Sequence, residues 1–273
     1  MSLLDAYFER IHYGGDARPA LATLERIHAL HAEHIPFEAL SPFLGEPVAL
    51  DIESLRAKLI ESGRGGWCFE QNILFAHVLE EIGFEVTRLA ARVRWNVPAG
   101  TITARSHMLL QVGIDGAEYL ADVGFGGQTQ TAPLRMEAGT EQLTPHEPYR
   151  LSAAGNGYIL ESKIGGTWQA LYAFELHEQQ LADYEVSNWY LCTHPRSQFV
   201  SGIVAARAEP GRRHALRNTR YAVHTPDGKT QARFITDVGE YKALLGGPFA
   251  IRLPEAPQLD AKIAAMIARS ATS

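Results

Sequence analysis

Several features that would assign this chain to a specialised class are scarce or missing. The 273 residues include two cysteines, Cys68 and Cys192, too few for a disulfide framework and without metal-type spacing. No apolar run approaches the roughly 18 residues that a membrane-spanning helix needs. The N-terminus has neither the basic nor the apolar region of a signal peptide. We therefore predict a reduced, cytoplasmic protein with no metal ion and no membrane partner.

An excess of basic residues is also missing. Lysine and arginine total 25 against 31 aspartate and glutamate residues, and the net charge is -6. This balance argues against a nucleic-acid partner. It does not exclude a phosphate-bearing ligand, because a local basic pocket is enough to hold one. The hydrophobic content of 46% is sufficient for a substantial core, and the composition leaves the oligomeric state open.

A glycine-rich stretch precedes the first cysteine. Three glycines fall within positions 63–66, where they permit a tight turn that side chains would block. Apolar residues then recur every fourth position from Leu74 to Ile82, which predicts a helix that begins at Cys68 and ends at Gly83. The positive end of that helix dipole favours the nucleophilic thiolate. A free cysteine is also commonly a small buried apolar residue, so this interpretation requires a base nearby.

A base and a group to orient it are both found near one predicted hairpin. Asp115-Gly116 lies between two β-rich runs, a strong signal for a two-residue turn. With that turn, His107 and Asp122 share one face of the hairpin and come within hydrogen-bonding reach. A three-residue turn would place them on opposite faces. Each residue also has an ordinary structural explanation. His107 could be a hydrogen-bonded core histidine, and Asp122 could cap the end of a strand.

The chain divides into three parts by its periodicity. Residues 1–85 have helical patterns and carry Cys68, which predicts a helical bundle with the nucleophile. Residues 86–190 have short strand patterns separated by turns, which predicts an antiparallel meander or small barrel that carries His107 and Asp122. Residues 191–273 mix strand and helix patterns. These parts predict an α+β multidomain fold.

Three histidines at helical spacing deserve a separate interpretation. His28, His31 and His34 lie on one predicted helix, which ends at Pro36. No cysteine or carboxylate completes a metal-binding set with them. We therefore predict a solvated or partly buried helix face. The following residues, from His34 to Leu40, are predicted to form a turn.

Five segments of the chain form a recognisable set, namely Ile35-Pro36-Phe37-Glu38, Arg64 to Asn72, Ser106-His107-Met108, Ala121 to Gly126, and Thr193-His194-Pro195 with Phe199. In the same order, they resemble segments of the bacterial arylamine N-acetyltransferases. The Arg-Gly-Gly-x-Cys-Phe-Glu element is specific, whereas the others are weak signals alone. Ala39 departs from the asparagine that the family commonly has after Pro-Phe-Glu.

The resemblance implies a fold, a reaction and a set of catalytic residues. The fold would be an N-terminal helical bundle, a central antiparallel β-barrel and a C-terminal α/β lid, with a papain-like Cys-His-Asp triad. The reaction would transfer acetyl from acetyl-CoA to arylamines, arylhydrazines or N-hydroxyarylamines, as in xenobiotic metabolism. Cys68 would be the nucleophile, His107 the base and Asp122 the orienting group. Two half-reactions through an acetyl-cysteine predict ping-pong kinetics.

The resemblance also implies an apolar substrate pocket. By family position its walls would include Phe37, Phe125 and Phe199, although each is compatible with ordinary core packing. Independently of the resemblance, the glycine-rich run that contains Gly124 and Gly126 predicts a flexible rim that lets a ligand approach.

Arg64 has two interpretations. It would either activate the thiol or pair with a buried carboxylate such as Glu38, and we favour the second. Cys192 is predicted to be inert.

Two other classes of protein are compatible with the same residues. The order Cys, His, Asp also suits a papain-like or transglutaminase-like enzyme that acts on peptides. A non-catalytic binding protein on the same scaffold is the other alternative. The presence of all three residues argues against that second alternative, because loss of one would be its expected mark.

Overall fold

The structure is a computed structural model that describes residues 1–98 and 100–270. The last three residues of the predicted 191–273 segment therefore lie outside the described part. Within the described ranges, no helix is both long enough and apolar enough to cross a membrane. The same residues contain no group of three or more histidine, cysteine, aspartate or glutamate side chains that could hold a metal ion.

The first part of the chain is helical, and local capping explains where its helices begin and end. The Ser2 hydroxyl accepts a hydrogen bond from the Asp5 amide at 3.0 Å, and Asp51 caps a later helix in the same way. A π-helical turn follows at Arg56–Glu61. The helices are α1 (Leu3–Arg10), α2 (Leu21–His34), α3 (Leu40–Leu44), α4 (Ile52–Leu55) and α5 (Cys68–Ile82).

Helix α5 is the central helix of this part. Ile73, Leu74 and Phe75 are successive residues, so they project to different sides of it, and all three are buried. A helix that is apolar on every side is buried by its neighbours, and each such side chain contributes about 1.5–3 kcal/mol. Gly83 ends the helix with φ 105°, a conformation that glycine adopts without strain. The predicted start and end of this helix are confirmed.

Strands dominate the rest of the chain. They are β1 (Phe37–Glu38), β2 (Glu85–Val93), β3 (Arg105–Ile114), β4 (Ala117–Ala121), β5 (Leu134–Arg135), β6 (Tyr149–Ala154), β7 (Gly157–Ile164), β8 (Thr167–Glu175), β9 (Val204–Glu209), β10 (Arg212–Arg217), β11 (Arg220–His224) and β12 (Thr230–Phe234). The later helices are α6 (Leu181–Thr193), α7 (Gln198–Ser201), α8 (Val238–Gly246) and α9 (Leu259–Ser270).

The larger antiparallel sheet is nearly closed and barrel-like. In the described chain its seven strands follow the order β5-β4-β3-β2-β8-β7-β6. Residues after β5 bridge to the opposite edge through the pairs Ala138–Leu151 and Gln142–Tyr149, so the two edges approach each other. Apolar side chains from β2, β3, β4, β7 and β8 fill the interior. The described chain combines helices with this antiparallel sheet, which confirms the predicted α+β class.

The smaller sheet joins distant parts of the chain. Its antiparallel order is β1-β9-β10-β11-β12, and Phe37 in β1 pairs with Ala206 in β9. The predicted turn between His34 and Leu40 was therefore wrong at its centre, because Phe37 and Glu38 form a strand. Helices α3, α8 and α9 share a core with this sheet. Helix α6 spans the predicted boundary between residues 190 and 191.

The three histidines of α2 differ from each other in burial. His28 and His31 have no exposed surface, so the predicted solvated or partly buried face was wrong for them. His31 accepts a hydrogen bond from the Tyr7 hydroxyl at 2.8 Å and donates to Gln71 Oε1 at 2.7 Å. Burial lowers the pKa of His28 to about 4 and that of His31 to about 3. Both are therefore neutral members of the core.

Candidate active site

Cys68 is the first residue of α5 and is held at the end of a close-packed loop. The Gly66 amide donates to the Pro36 carbonyl at 3.2 Å, and the Glu38 amide donates to the Gly66 carbonyl at 3.1 Å. A β-carbon at Gly65 would lie 2.0 Å from the Pro36 oxygen, so a side chain does not fit there. The glycines thus bring the loop against β1. The predicted tight turn that excludes side chains is confirmed, whereas its contact with β1 was not predicted.

His107 and Asp122 meet through the predicted hairpin. Ile114 pairs with Ala117 across the Asp115-Gly116 turn, which confirms the two-residue register. His107 Nε2 lies 2.7 Å from Asp122 Oδ2. The other ring nitrogen, Nδ1, is left for a different partner.

The Asp122 carboxylate has further hydrogen bonds that sequence reasoning did not identify. Asn72 Nδ2 and the Gly124 amide donate to Oδ1 at 3.0 Å and 2.9 Å. The Asp122 amide donates to His28 Nε2 at 3.2 Å. Burial alone would raise the pKa of Asp122, but the His107 charge and these hydrogen bonds outweigh it, so the pKa is lowered.

Asn72 had a sequence signal that we did not use. It lies four residues after Cys68, one turn along α5, and therefore on the same face of the helix. His28 had no such signal, because α2 reaches Asp122 only through tertiary packing.

His107 carries a positive charge over an unusually wide pH range. Burial lowers its pKa, but the charge and hydrogen bond of Asp122, together with the Cys68 thiol, raise it further, to about 10. The Cys68 thiol also donates towards the Ser106 carbonyl, with Sγ 3.7 Å from the oxygen.

A cavity of about 340 Å³ opens onto these groups. This volume falls within the range of roughly 300–1,000 Å³ that small-molecule sites occupy. Aromatic rings line much of it, with the Phe37 and Phe199 centroids 6.3 Å apart and the Phe125 centroid 5.0 Å from that of His107. The predicted residues on its wall are Phe37, Cys68, His107, Gly124, Phe125, Gly126 and Phe199.

Comparisons with known proteins agree with this geometry. A sequence profile described as N-acetyltransferase matches residues 20–258. The arylamine N-acetyltransferase of Mycolicibacterium smegmatis is 46% identical over 235 residues, covering 85% of this chain and 86% of the relative. The chain belongs to the arylamine N-acetyltransferase family. The predicted family and enzyme class, an acetyl-CoA-dependent transferase, are confirmed.

Two further relatives share nearly the whole chain. The arylamine N-acetyltransferase / N-hydroxyarylamine O-acetyltransferase of Salmonella typhimurium is 36% identical and covers 98% of this chain and 96% of its own length. The structure of the Mycobacterium marinum arylamine N-acetyltransferase in complex with CoA superimposes with a TM-score of 0.93 at 40% identity, covering 96% and 99% of the two chains. The fold is therefore that of the bacterial arylamine N-acetyltransferases.

Residues from separate parts of the chain complete the cavity. Trp95 follows β2, while Arg217 and Arg220 lie at the tip of the β10–β11 hairpin. We did not predict these three, because no local pattern indicates that β10 and β11 reach the site. The residues that line the cavity do not include Cys192, and burial raises the pKa of its thiol.

Arg64 lies within the glycine loop and forms a buried ion pair. Its Nε donates to Glu38 Oε1 at 2.8 Å, and its guanidinium also reaches the Ser41 hydroxyl. The expected ion pair with Glu38 is confirmed. Both side chains are buried, so each compensates the charge of the other where water is excluded.

Removing this buried ion pair is expected to destabilise the fold. Arg64→Gln leaves the Glu38 carboxylate buried without its cation, which should cost roughly 3 kcal/mol or more of unfolding free energy. Urea denaturation would measure the loss. The control is Arg56→Gln, which removes a surface ion pair with Glu61 and should cost less than about 1 kcal/mol. Equal losses in the two variants would contradict the assignment of Arg64.

The His107–Asp122 pair should make stability depend on pH in a defined direction. His107 has a folded-state pKa of about 10 against the usual 6.5, so its contribution is complete below pH 6.5 and is lost as pH rises through 10. Asp122 has a lowered pKa, so its contribution is present above its usual 3.8 and is lost in acid. The difference in unfolding free energy between wild type and Asp122→Asn should therefore peak between these limits.

Thermal denaturation at several pH values from 4 to 10 would measure this difference in unfolding free energy. The control is Asp115→Asn, the same chemical change in the exposed turn of the hairpin. If the difference in unfolding free energy between wild type and Asp122→Asn stays constant with pH, His107 is not an imidazolium in the folded protein.

Proposed function

We propose that this chain transfers acetyl from acetyl-CoA to aromatic amines, hydrazines or N-hydroxyarylamines through an acetyl-Cys68 intermediate. One observation carries the proposal. The helix-terminal thiol of Cys68 lies next to His107, which Asp122 orients, at the wall of a cavity lined by aromatic rings. These three side chains would act as a catalytic triad with the roles of nucleophile, base and orienting group.

The first half-reaction acetylates Cys68. His107 holds the thiol proton, and the resulting thiolate attacks the carbonyl carbon of the acetyl thioester. The first N–H groups of α5 have no acceptor within the helix, so they are available to stabilise the oxyanion. Collapse of the tetrahedral intermediate expels the CoA thiolate, which takes the proton from His107.

The second half-reaction uses the same cavity. The aromatic ring of the acceptor packs among Phe37, Phe125 and Phe199, where edge-to-face contacts favour a planar ring. Its nitrogen or hydroxyl oxygen attacks the acetyl carbon, the Cys68 thiolate leaves, and His107 receives the proton of the acceptor. Since both halves share one site, the kinetics should be ping-pong.

The proposal also includes a role for the C-terminal part of the chain. Residues 191–273 would act as the lid, because β9 and β10 contribute Val204, Ala205, Ala206, Ala215 and Leu216 to the cavity wall. The division into 1–85, 86–190 and 191–273, and the cytoplasmic location, stay predictions.

Intact-mass spectrometry would test the intermediate directly. After brief incubation with acetyl-CoA and no amine, wild type should gain one acetyl group, because the thiolate is acetylated before any acceptor enters. An arylamine should then remove it. Cys68→Ala should gain nothing.

The control variant is Cys192→Ala, which removes the other thiol and should be acetylated like wild type. If wild type gains no acetyl group even after rapid quenching, the acetyl-enzyme route is wrong. The peptide-directed cysteine enzyme would then become the better interpretation.

A further inference from the structure

The chain leaves the larger sheet after β4, whose last paired residue is Ala121. Side chains, and not a neighbouring strand, bind the three backbone amides that follow. The donor and acceptor pairs are the Asp122 amide with His28 Nε2 at 3.2 Å, the Val123 amide with Asn72 Oδ1 at 3.1 Å, and the Gly124 amide with Asp122 Oδ1 at 2.9 Å. Side chains of α2 and α5 therefore determine the position of this turn.

The Asp122 amide differs from the other two because its residue also carries the carboxylate that contacts His107. Asp122 Oδ2 lies 2.7 Å from His107 Nε2. The backbone conformation of a residue restricts where its side chain points. An acceptor for this amide therefore helps to fix the distance between the carboxylate and the imidazole. His28 provides that acceptor from α2, and the described residues that line the cavity of Cys68 include none from that helix.

His28 is an unfavourable residue at this position if it serves packing alone. Its Nε2 atom accepts a hydrogen bond only when it carries no proton, so the proton of the neutral ring is on Nδ1. Nδ1 is buried, and it makes no hydrogen bond to any other residue in the described ranges. The ring packs edge-on against Phe75, with centroids 5.7 Å apart. A phenylalanine ring would fill this place without an unpaired buried donor, so the bond between Nε2 and Asp122 accounts for the histidine.

Neutral His28 keeps this acceptor available at neutral pH. Burial lowers its pKa to about 4, against a smaller opposing effect of the Asp122 charge. Without Nε2, the Asp122 amide would be a buried donor with no acceptor, which is unfavourable. It would regain a partner only by turning elsewhere or by admitting water. Either change weakens the contact with His107, whose pKa of about 10 depends on the charge and hydrogen bond of Asp122.

We propose that His28 is a positioning residue of the active site, which holds the Asp122 carboxylate against His107 by accepting the Asp122 amide. His28 does not line the cavity, and it acts through Asp122. The inference rests on the proposed function, in which His107 takes up and releases the proton. It extends the machinery of the reaction to α2, a helix outside the cavity wall.

Nitrogen NMR of the imidazole rings in the wild-type protein tests the first step without any substitution. Ring nitrogens with and without a proton have distinct chemical shifts. At neutral pH, His28 should be neutral, with its proton on Nδ1 and with Nε2 free to accept. A proton on Nε2 would overturn the proposal, because that atom then has no lone pair for the Asp122 amide.

Two substitutions separate the acceptor from the ring. His28→Phe keeps an aromatic ring against Phe75 and removes the acceptor, whereas His28→Gln provides an amide oxygen in its place. In His28→Phe, the pKa of His107, measured by titration of its ring signals, should fall from about 10 by roughly one pH unit or more, and Cys68 acetylation should slow roughly tenfold. His28→Gln should restore most of both. Equal losses in the two variants would overturn the proposal, because the acceptor would then have no effect of its own.

The matched control is His214→Phe, the same change at another buried histidine. His214 bonds Tyr221 and Glu209 in the smaller sheet and lies outside the cavity wall. This variant should lose thermal stability but keep the His107 pKa and the acetylation rate of wild type. A similar fall of the His107 pKa in His214→Phe would mean that a general loss of stability explains the effect, and the proposal would be wrong.

The titration also separates this inference from the proposed function, because it uses no acetyl-CoA. If wild type is not acetylated, the proposed function fails, and the pKa of His107 in His28→Phe still decides whether His28 positions Asp122. A His107 pKa that stays at about 10 in His28→Phe would overturn the inference even where acetyl transfer proceeds as proposed.

Discussion

The hydrogen bond between His107 and Asp122 is the interaction on which the rest of the site depends. Asp122 has no exposed surface, and a buried carboxylate is costly unless other groups replace its hydration. His107 supplies the opposite charge, while Asn72 and the Gly124 amide supply hydrogen bonds. Because Asn72 comes from α5 and the charged pair from the β3–β4 hairpin, the site exists only when these elements are packed together.

That packing requires the backbone of α5 to approach the residues after β4 very closely. A β-carbon at Gly124 would lie 2.7 Å from the Cys68 α-carbon, nearer than real β-carbons come to other atoms. Because glycine has no β-carbon, the two backbones can make this contact, and the Gly124 amide can point towards Asp122. The same close contact brings Cys68 to the rim of the cavity. One glycine therefore serves both the geometry of the nucleophile and the compensation of the carboxylate.

Charge is distributed unevenly around this cavity. The chain as a whole is acidic, yet the described residues that line the cavity include arginines and no carboxylate. Both arginines are exposed, whereas the aromatic residues Phe37, Phe125 and Phe199 on the wall are buried or partly buried. The aromatic walls suit a planar apolar ring, and the arginines suit an anionic group.

The sequence by itself determined the features that local geometry controls. The helix that begins at Cys68, its end at Gly83 and the register that brings His107 to Asp122 follow from 3.6-residue and two-residue periodicities and from turn chemistry. Tertiary structure alone decided that His28 supports Asp122, that β1 joins the second sheet, and that Arg217 and Arg220 reach the cavity. These contacts join residues far apart in the chain, and they depend on how complete layers pack, which no short pattern specifies.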